Sequence, residues 1–270
     1  MRTCSVHCDG AFAVEDLSRM REAGFELAEL SFNRPAHGVS FDDRQKAASF
    51  RRAAEELSMR LVSHAPDQYW LSNPDREELK ETVAAVEDVL AGAGAYGVEA
   101  MVIHCCPGKA LVQDRVSDQL DALVEALQTL APACERAGVR LAAETMVPGR
   151  LTSSMEHLIT AVDRVGSPWV GICLDTNHLN LSEDVDAAVR RAAHRLVEFH
   201  LNDNHFVKEE HLLPYEGEVD WVSLAEAIAA IDYAGFLIME PGGQYVEEEG
   251  FLATAHQTAT RFQDELMRAG

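Results

Sequence analysis

Lysine is scarce in this chain. It stands only at positions 46, 80, 109 and 208, and Lys and Arg together number 23 against 45 Asp and Glu. The resulting formal charge of −22 argues against a phosphate backbone as the main partner, because such binding draws its affinity from Lys and Arg neutralising phosphates. Cysteine is also sparse. The six thiols (Cys4, Cys8, Cys105, Cys106, Cys134 and Cys173) contain no C-x-x-C and form no disulfide framework. No run reaches the ~18 residues free of charge or breaker that a membrane span needs, and Met1–Gly10 lacks the apolar core of a signal peptide. A reduced cytoplasm is the expected compartment, with no membrane partner. Global disorder is excluded by 47% apolar and 25% charged residues.

What is present is an alternation. Short apolar runs at Thr3–His7, Leu27–Phe32, Arg60–His64, Ala100–His104, Arg140–Thr145, Val170–Asp175, Leu196–Leu201 and Phe236–Glu240 read as strands covered on both faces. Amphipathic segments lie between them. Asn73-Pro74-Asp75 predicts an N-cap with Pro at the first helical position, and Ser182-Glu183-Asp184 places acids in a first turn. Asp220 reads as the cap of a helix starting near Val222. Gly24, Gly97 and Gly138 each precede a strand, as a glycine closing a helix does. No G-x-G-x-x-G follows the first strand. Eight near-equal βα units in 270 residues match the ~250 residues of a (β/α)8 barrel better than an open doubly wound sheet. No linker divides the chain, so residues 1–270 are expected to form one TIM-barrel domain of the α/β class. The longest irregular stretch, Asn202 to Asp220, follows the seventh strand.

In such a barrel the C-terminal ends of the strands converge on one mouth. Those ends are His64, His104, Glu144, Asp175, His200 and Glu240, with His178, Glu209 and His211 close behind. A lone histidine at a strand end is usually a satisfied polar side chain. Six consecutive strands ending in His, Asp or Glu are another matter, since these types make up 56 of 270 residues. Clustered carboxylates without lysine partners need a positive charge among them. Two Glu, one Asp and one His are a hard ligand set for Mn²⁺, Co²⁺ or Mg²⁺, with Zn²⁺ admissible. The further histidines add nitrogen and favour Zn²⁺ for any additional ion.

The segments His64-Ala65-Pro66, Val102-Ile103-His104, Glu144-Thr145-Met146, Leu174-Asp175-Thr176-Asn177-His178, His200-Leu201-Asn202-Asp203 and Glu240-Pro241, in this order, resemble the xylose-isomerase-like TIM-barrel superfamily. That group holds sugar-phosphate isomerases and epimerases and the endonuclease IV family of abasic-site nucleases. The epimerase resemblance implies one divalent ion on Glu144, Asp175, His200 and Glu240, with Glu144 and Glu240 also serving as the catalytic acid/base pair. His178 would help hold the sugar. The implied reaction isomerises or epimerises a small keto-sugar, sugar phosphate or polyol ketone through a metal-stabilised enediolate. A keto-polyol dehydratase or lyase would use the same site. A non-catalytic sugar-binding barrel would not call for two opposed carboxylates.

The nuclease resemblance implies a multi-zinc phosphodiester hydrolase using His64, His104, Glu144, Asp175, His178, His200, Glu209, His211 and Glu240. Glu209-Glu210-His211 through Gly217 resembles that family's Asp-Arg-His-x-x-x-Gly-x-Gly stretch, with Glu for Asp, Glu for a basic residue and Tyr215 for a glycine. A nuclease also needs a cationic groove and wedge residues. Tyr69-Trp70-Leu71 offers a wedge, though such a cluster more often forms a lid or an interface. The charge makes nucleic acid the lesser reading. Arg34, Lys109 and Lys208 are candidate substrate anchors, and Pro241-Gly242-Gly243-Gln244 stands where barrels often bind phosphate. Whether the sugar is phosphorylated stays open. The family resemblance also implies a homo-oligomer.

Overall fold

The computed structural model describes residues 4–8, 12–33, 39–106, 111–246 and 250–270. Eight parallel strands close into a barrel: β1 (Cys4–Cys8), β2 (Leu27–Ser31), β3 (Arg60–His64), β4 (Ala100–Ile103), β5 (Arg140–Glu144), β6 (Val170–Asp175), β7 (Leu196–His200) and β8 (Phe236–Met239). Closure is through β8 pairing with β1, Cys4 opposite Leu237. The expected (β/α)8 barrel is therefore present, and each strand lies within one residue of its sequence-based bounds.

The helices are α1 (Val14–Glu22), α2 (Arg44–Leu57), α3 (Arg76–Tyr96), α4 (Val116–Ala137), α5 (Met155–Val165), the single turn α6 (Thr176–Leu179), α7 (Val185–Ala192), α8 (Trp221–Ala230), the short α9 (Gly243–Val246) and α10 (Phe251–Ala269). Two caps differ from expectation. α3 begins after Asp75, whose carboxylate accepts from the Glu77 and Glu78 amides, while Asn73 Oδ1 accepts from the Asp75 amide. Pro74 thus lies in the turn before the cap and not at the first helical position. Likewise Asp184 itself caps α7, accepting from the Ala187 amide. A carboxylate at the N-cap serves both the free amides and the positive end of the helix dipole, which explains both choices. Asp220 caps α8 as expected, accepting from the Ser223 amide, and Gly97 and Gly138 close α3 and α4 with φ of +77° and +69°.

Strand side chains alternate between the helix shell and the barrel interior. Leu27, Val62, Ala100, Val102, Ala142, Cys173, Val197, Phe236 and Ile238 form a separate cluster inside the barrel. The register of β6 on β7 shifts between Ile172 and Cys173, and Gly171 beside it is required, since a Cβ there would overlap Val197 and the Arg195 carbonyl. The shift sets the phase that places Asp175 opposite His200 at the mouth. No helix of the described residues is long and apolar enough to cross a membrane.

Candidate active site

The register carries the proposed ligands to one level of the barrel: Ser31 lies opposite His64, Glu144 opposite Cys173 and Asp175 opposite His200. Ligand atoms of Glu144, Asp175, His200 and Glu240 all lie within 4.8 Å of one another. His200 Nδ1 is 2.9 Å from Glu144 Oε1, 3.3 Å from Glu240 Oε2 and 3.9 Å from Asp175 Oδ2. Two further groups flank this one: His64, His104 and Glu144, and His178, Glu209 and His211. Glu144 is shared, with His104 Nε2 at 2.9 Å and His64 Nε2 at 3.3 Å from its Oε2. Glu209 Oε1 receives His178 Nε2 at 3.1 Å and His211 Nε2 at 2.9 Å.

These side chains are held from behind. His64 Nδ1 donates to the Ala65 carbonyl at 2.7 Å, His178 Nδ1 to the Thr145 carbonyl at 2.8 Å and His211 Nδ1 to the Glu240 carbonyl at 3.0 Å. His104 Nδ1 lies 3.2 Å from Asp67, and Asn33 donates to the other oxygen of Asp67. Asp175 accepts from the His178 amide and from Asn202 Nδ2, whose own oxygen accepts from the Glu240 amide. Anchoring one ring nitrogen fixes which face of the imidazole is free to bind.

Electrostatics follow from this crowding. Burial raises the Glu144 carboxyl, but the charges and hydrogen bonds of His200 and His104 outweigh it and hold Glu144 well below the usual range. Burial opposes charge on His64 and His178, yet Glu144 lifts the first, and Asp175 with Glu209 the second, to about 10. His211 rises to about 9 against its burial, through Glu209 and Glu240. His200 is pushed well above 6.5 despite burial, by Cys173, Glu144, Glu240 and Glu29. Asp175 is raised by burial, a shift its histidine neighbours only partly offset. Protons on imidazoles thus supply the positive charge that the carboxylates require.

The mouth opens on a cavity of about 240 Å³ lined by Ser31, Asn33, Asp67, Glu209, Glu240 and four histidines, small beside the ~300–1,000 Å³ of drug-sized ligand pockets. Glu240 lines it, whereas Glu144 lies beneath the imidazoles. Among the described residues no Lys or Arg lines it. Lys208 is exposed on the outer part of the β7–α8 loop, and Arg34 and Lys109 lie outside the described residues. Tyr69 and Leu71 are buried in the core, and Trp70 Nε1 donates to Ser72, so these three do not project as a wedge. Cys105 and Cys106 pack in the core, and burial pushes their thiols up.

The β7–α8 loop that delivers Glu209 and His211 is pinned by Asp203. Its Oδ1 accepts from the amides of Asn204 and Val219 at 2.9 Å, and its Oδ2 from the Tyr215 amide at 3.0 Å and Trp221 Nε1 at 2.8 Å. Gly217 is needed here because a Cβ would meet Asp203 Oδ1 and the Asn204 carbonyl. Asp203→Ala strands several buried donors and is expected to cost about 3–4 kcal/mol, measured by urea unfolding.

Two buried acids went unnoticed in the strand-end reading. Glu29 and Glu198 lie one step below the mouth, both fully buried, and neither oxygen of Glu198 has a partner. Burial, together with Glu29, raises the Glu198 carboxyl well above the carboxylate range. An acid inside an otherwise apolar strand was the available signal. Glu198→Met is expected to raise stability by about 1–3 kcal/mol, since it removes an unsatisfied buried group. A thermal melt that moves downward refutes this.

A closed (β/α)8 barrel with a carboxylate–imidazole mouth defines a class of barrel able to seat a divalent cation. The chain belongs to the xylose isomerase-like TIM barrel family, whose model matches residues 17–259. It is 26% identical to a D-psicose 3-epimerase of Enterocloster bolteae over 83% of this chain and 75% of the relative. It is 28% identical to a probable endonuclease 4 of Symbiobacterium thermophilum over 61% of this chain and 63% of the relative. The first curated relatives are matched over 66% to 76% of their own length. A crystal structure of a D-tagatose 3-epimerase-like protein superposes with a TM-score of 0.84 at 19% identity, covering 98% of each chain.

Proposed function

We propose that this chain is a divalent-metal-dependent epimerase or isomerase of a small unphosphorylated ketose. The observation that carries the reading is the convergence of Glu144, Asp175, His200 and Glu240 at one level of the mouth. Three carboxylates and one imidazole fit Mn²⁺, Co²⁺ or Mg²⁺. Held by these four residues, such an ion would supply Lewis-acid stabilisation of the negative charge that develops on the carbonyl oxygen. Glu240, on the cavity side, removes or returns the proton next to the carbonyl, and Glu144 does so from the floor. His178 and His211 hold hydroxyl groups. The small cavity and the absence of Lys and Arg among its described lining residues favour a free sugar over a sugar phosphate. The free buried thiols Cys4, Cys105, Cys106, Cys134 and Cys173 suit a cytoplasmic setting.

One observation favours a second reading. Three neighbouring ligand groups, two of them sharing Glu144 and the third built on His178, Glu209 and His211, are what a multi-zinc phosphodiester hydrolase needs. Against it stand the lack of basic residues in the described mouth and the burial of Tyr69 and Leu71. Metal counting on purified protein decides, combined with a panel of free and phosphorylated ketoses in deuterated water. One ion per chain and metal-dependent deuterium entry beside the ketose carbonyl support the epimerase. Three zinc ions, no exchange with any ketose and cleavage of abasic DNA overturn it.

A further inference from the structure

Four histidines of the mouth share one orientation. His64, His104, His178 and His211 set Nδ1 on a backbone carbonyl or beside Asp67 and turn Nε2 to a carboxylate, which is Glu144 for the first two and the flanking Glu209 for the others. His200 is reversed. Its Nδ1 faces Glu144, Asp175 and Glu240, and its Nε2 points down the barrel. A neutral imidazole that offers a lone pair at Nδ1 must carry its proton at Nε2. Inside a closed barrel the strand carbonyls are committed to their ladders, so a buried N–H there needs a side-chain acceptor. Glu29 supplies one, its Oε1 lying 3.4 Å from His200 Nε2, with both side chains fully buried.

We infer that Glu29, from the middle of β2, is a positioning residue for His200: it accepts the Nε2 proton and so holds the imidazole with its Nδ1 lone pair facing Glu144, Asp175 and Glu240. This rests on the metal site proposed above. The remaining three ligands are carboxylates, which need no tautomer set for them, so His200 is the one ligand whose donor atom depends on a bond made elsewhere. Loss of such an outer partner weakens metal binding by roughly 10–100-fold in comparable sites. β2 contributes no ligand of its own to the four, and this gives it a part in the site.

The test is Mn²⁺ affinity by calorimetry, together with the imidazole ¹⁵N shifts of His200 in the Mg²⁺- or Zn²⁺-loaded protein. Glu29→Leu is expected to weaken Mn²⁺ binding by roughly 10–100-fold and to remove the Nε2–H signature. Glu29→Gln, whose amide oxygen still accepts the proton, is expected to stay within about threefold of the parent. Glu198→Gln serves as the control from the same level of the barrel, with no bond to His200, and should leave affinity unchanged. If Glu29→Leu does not fold, Glu29→Asp decides, because it keeps the charge and withdraws the acceptor by one methylene. Parental affinity in Glu29→Leu or Glu29→Asp overturns the inference, as does equal weakening in Glu29→Gln or Glu198→Gln. A parent protein that binds no divalent ion refutes the proposed metal site itself and not this bond alone.

Discussion

Glu240→Gln should lose turnover of the ketose by about three orders of magnitude with a smaller loss of metal affinity, since its amide oxygen can still ligate, and Glu144→Gln should lose both. The two carboxylates are not equivalent in their surroundings. Glu240 is part of the cavity wall, with its side chain 19% exposed, whereas Glu144 is fully buried and receives His64, His104 and His200. A base at the wall is removed cleanly by amide substitution, and general acid–base catalysis supplies roughly 10²–10⁴-fold. At Glu144 the same substitution places an NH₂ group, which cannot accept, where imidazole donors converge. It also removes a charge that favours the protonated forms of His64 and His200. Turnover measured by deuterium exchange and affinity measured by calorimetry separate the outcomes. Intact exchange in Glu240→Gln ends the two-base mechanism. Parental metal affinity in Glu144→Gln ends the assignment of that residue as a ligand.

That asymmetry was invisible from the sequence, although most of the barrel was legible there. Strand ends are easy to place because apolar runs bounded by Gly24, Gly97 and Gly138 mark both the strand and the helix before it. His64, His104, Glu144, Asp175, His200 and Glu240 stand out because charge at the end of an apolar strand is costly unless it faces a mouth. What the sequence pattern does not contain is depth. Glu29 and Glu198 are in phase with Ser31 and His200 on the same inward faces, but they lie one residue pair lower, and only the closed barrel shows that they meet beneath His200. The orientation of each imidazole is equally hidden, because the acceptors are carbonyls at Ala65, Thr145 and Glu240 supplied by the backbone of other segments. The caps of α3 and α7 were misplaced for a local reason. Several capping types stand side by side in Ser72-Asn73-Pro74-Asp75 and Ser182-Glu183-Asp184, and the carboxylate prevailed in both.

Without metal, the protein should become less stable from neutral to alkaline pH, and divalent ions should restore that stability increasingly as pH rises. Histidine titrates near 6.5 when unfolded, whereas His64 and His178 sit at about 10 and His211 at about 9 in the folded chain. A group whose folded value is raised contributes its full stabilisation below its unfolded value. The contribution then falls away as pH climbs through the folded one. Between pH 6.5 and about 10 the metal-free mouth therefore loses the protons that separate Glu144, Asp175, Glu209 and Glu240. Solvent relaxation reduces the effect, so a fall in melting temperature of roughly 5–10 °C is expected, equivalent to ~2–4 kcal/mol. A metal ion takes the place of those protons, so its binding releases them and strengthens with pH. In the four-ligand site only His200 has an imidazole proton to give up. One ion there should gain about tenfold in affinity per pH unit while His200 remains protonated in the metal-free protein. Ions at the two flanking groups would also displace protons from His64, His178 and His211 and steepen the slope. Calorimetry in buffers of different ionisation enthalpy counts the protons directly. A single proton released per ion supports the one-metal epimerase site, a larger number favours the multi-zinc arrangement, and a metal-free melting temperature that rises toward pH 9 contradicts the proton-filled mouth.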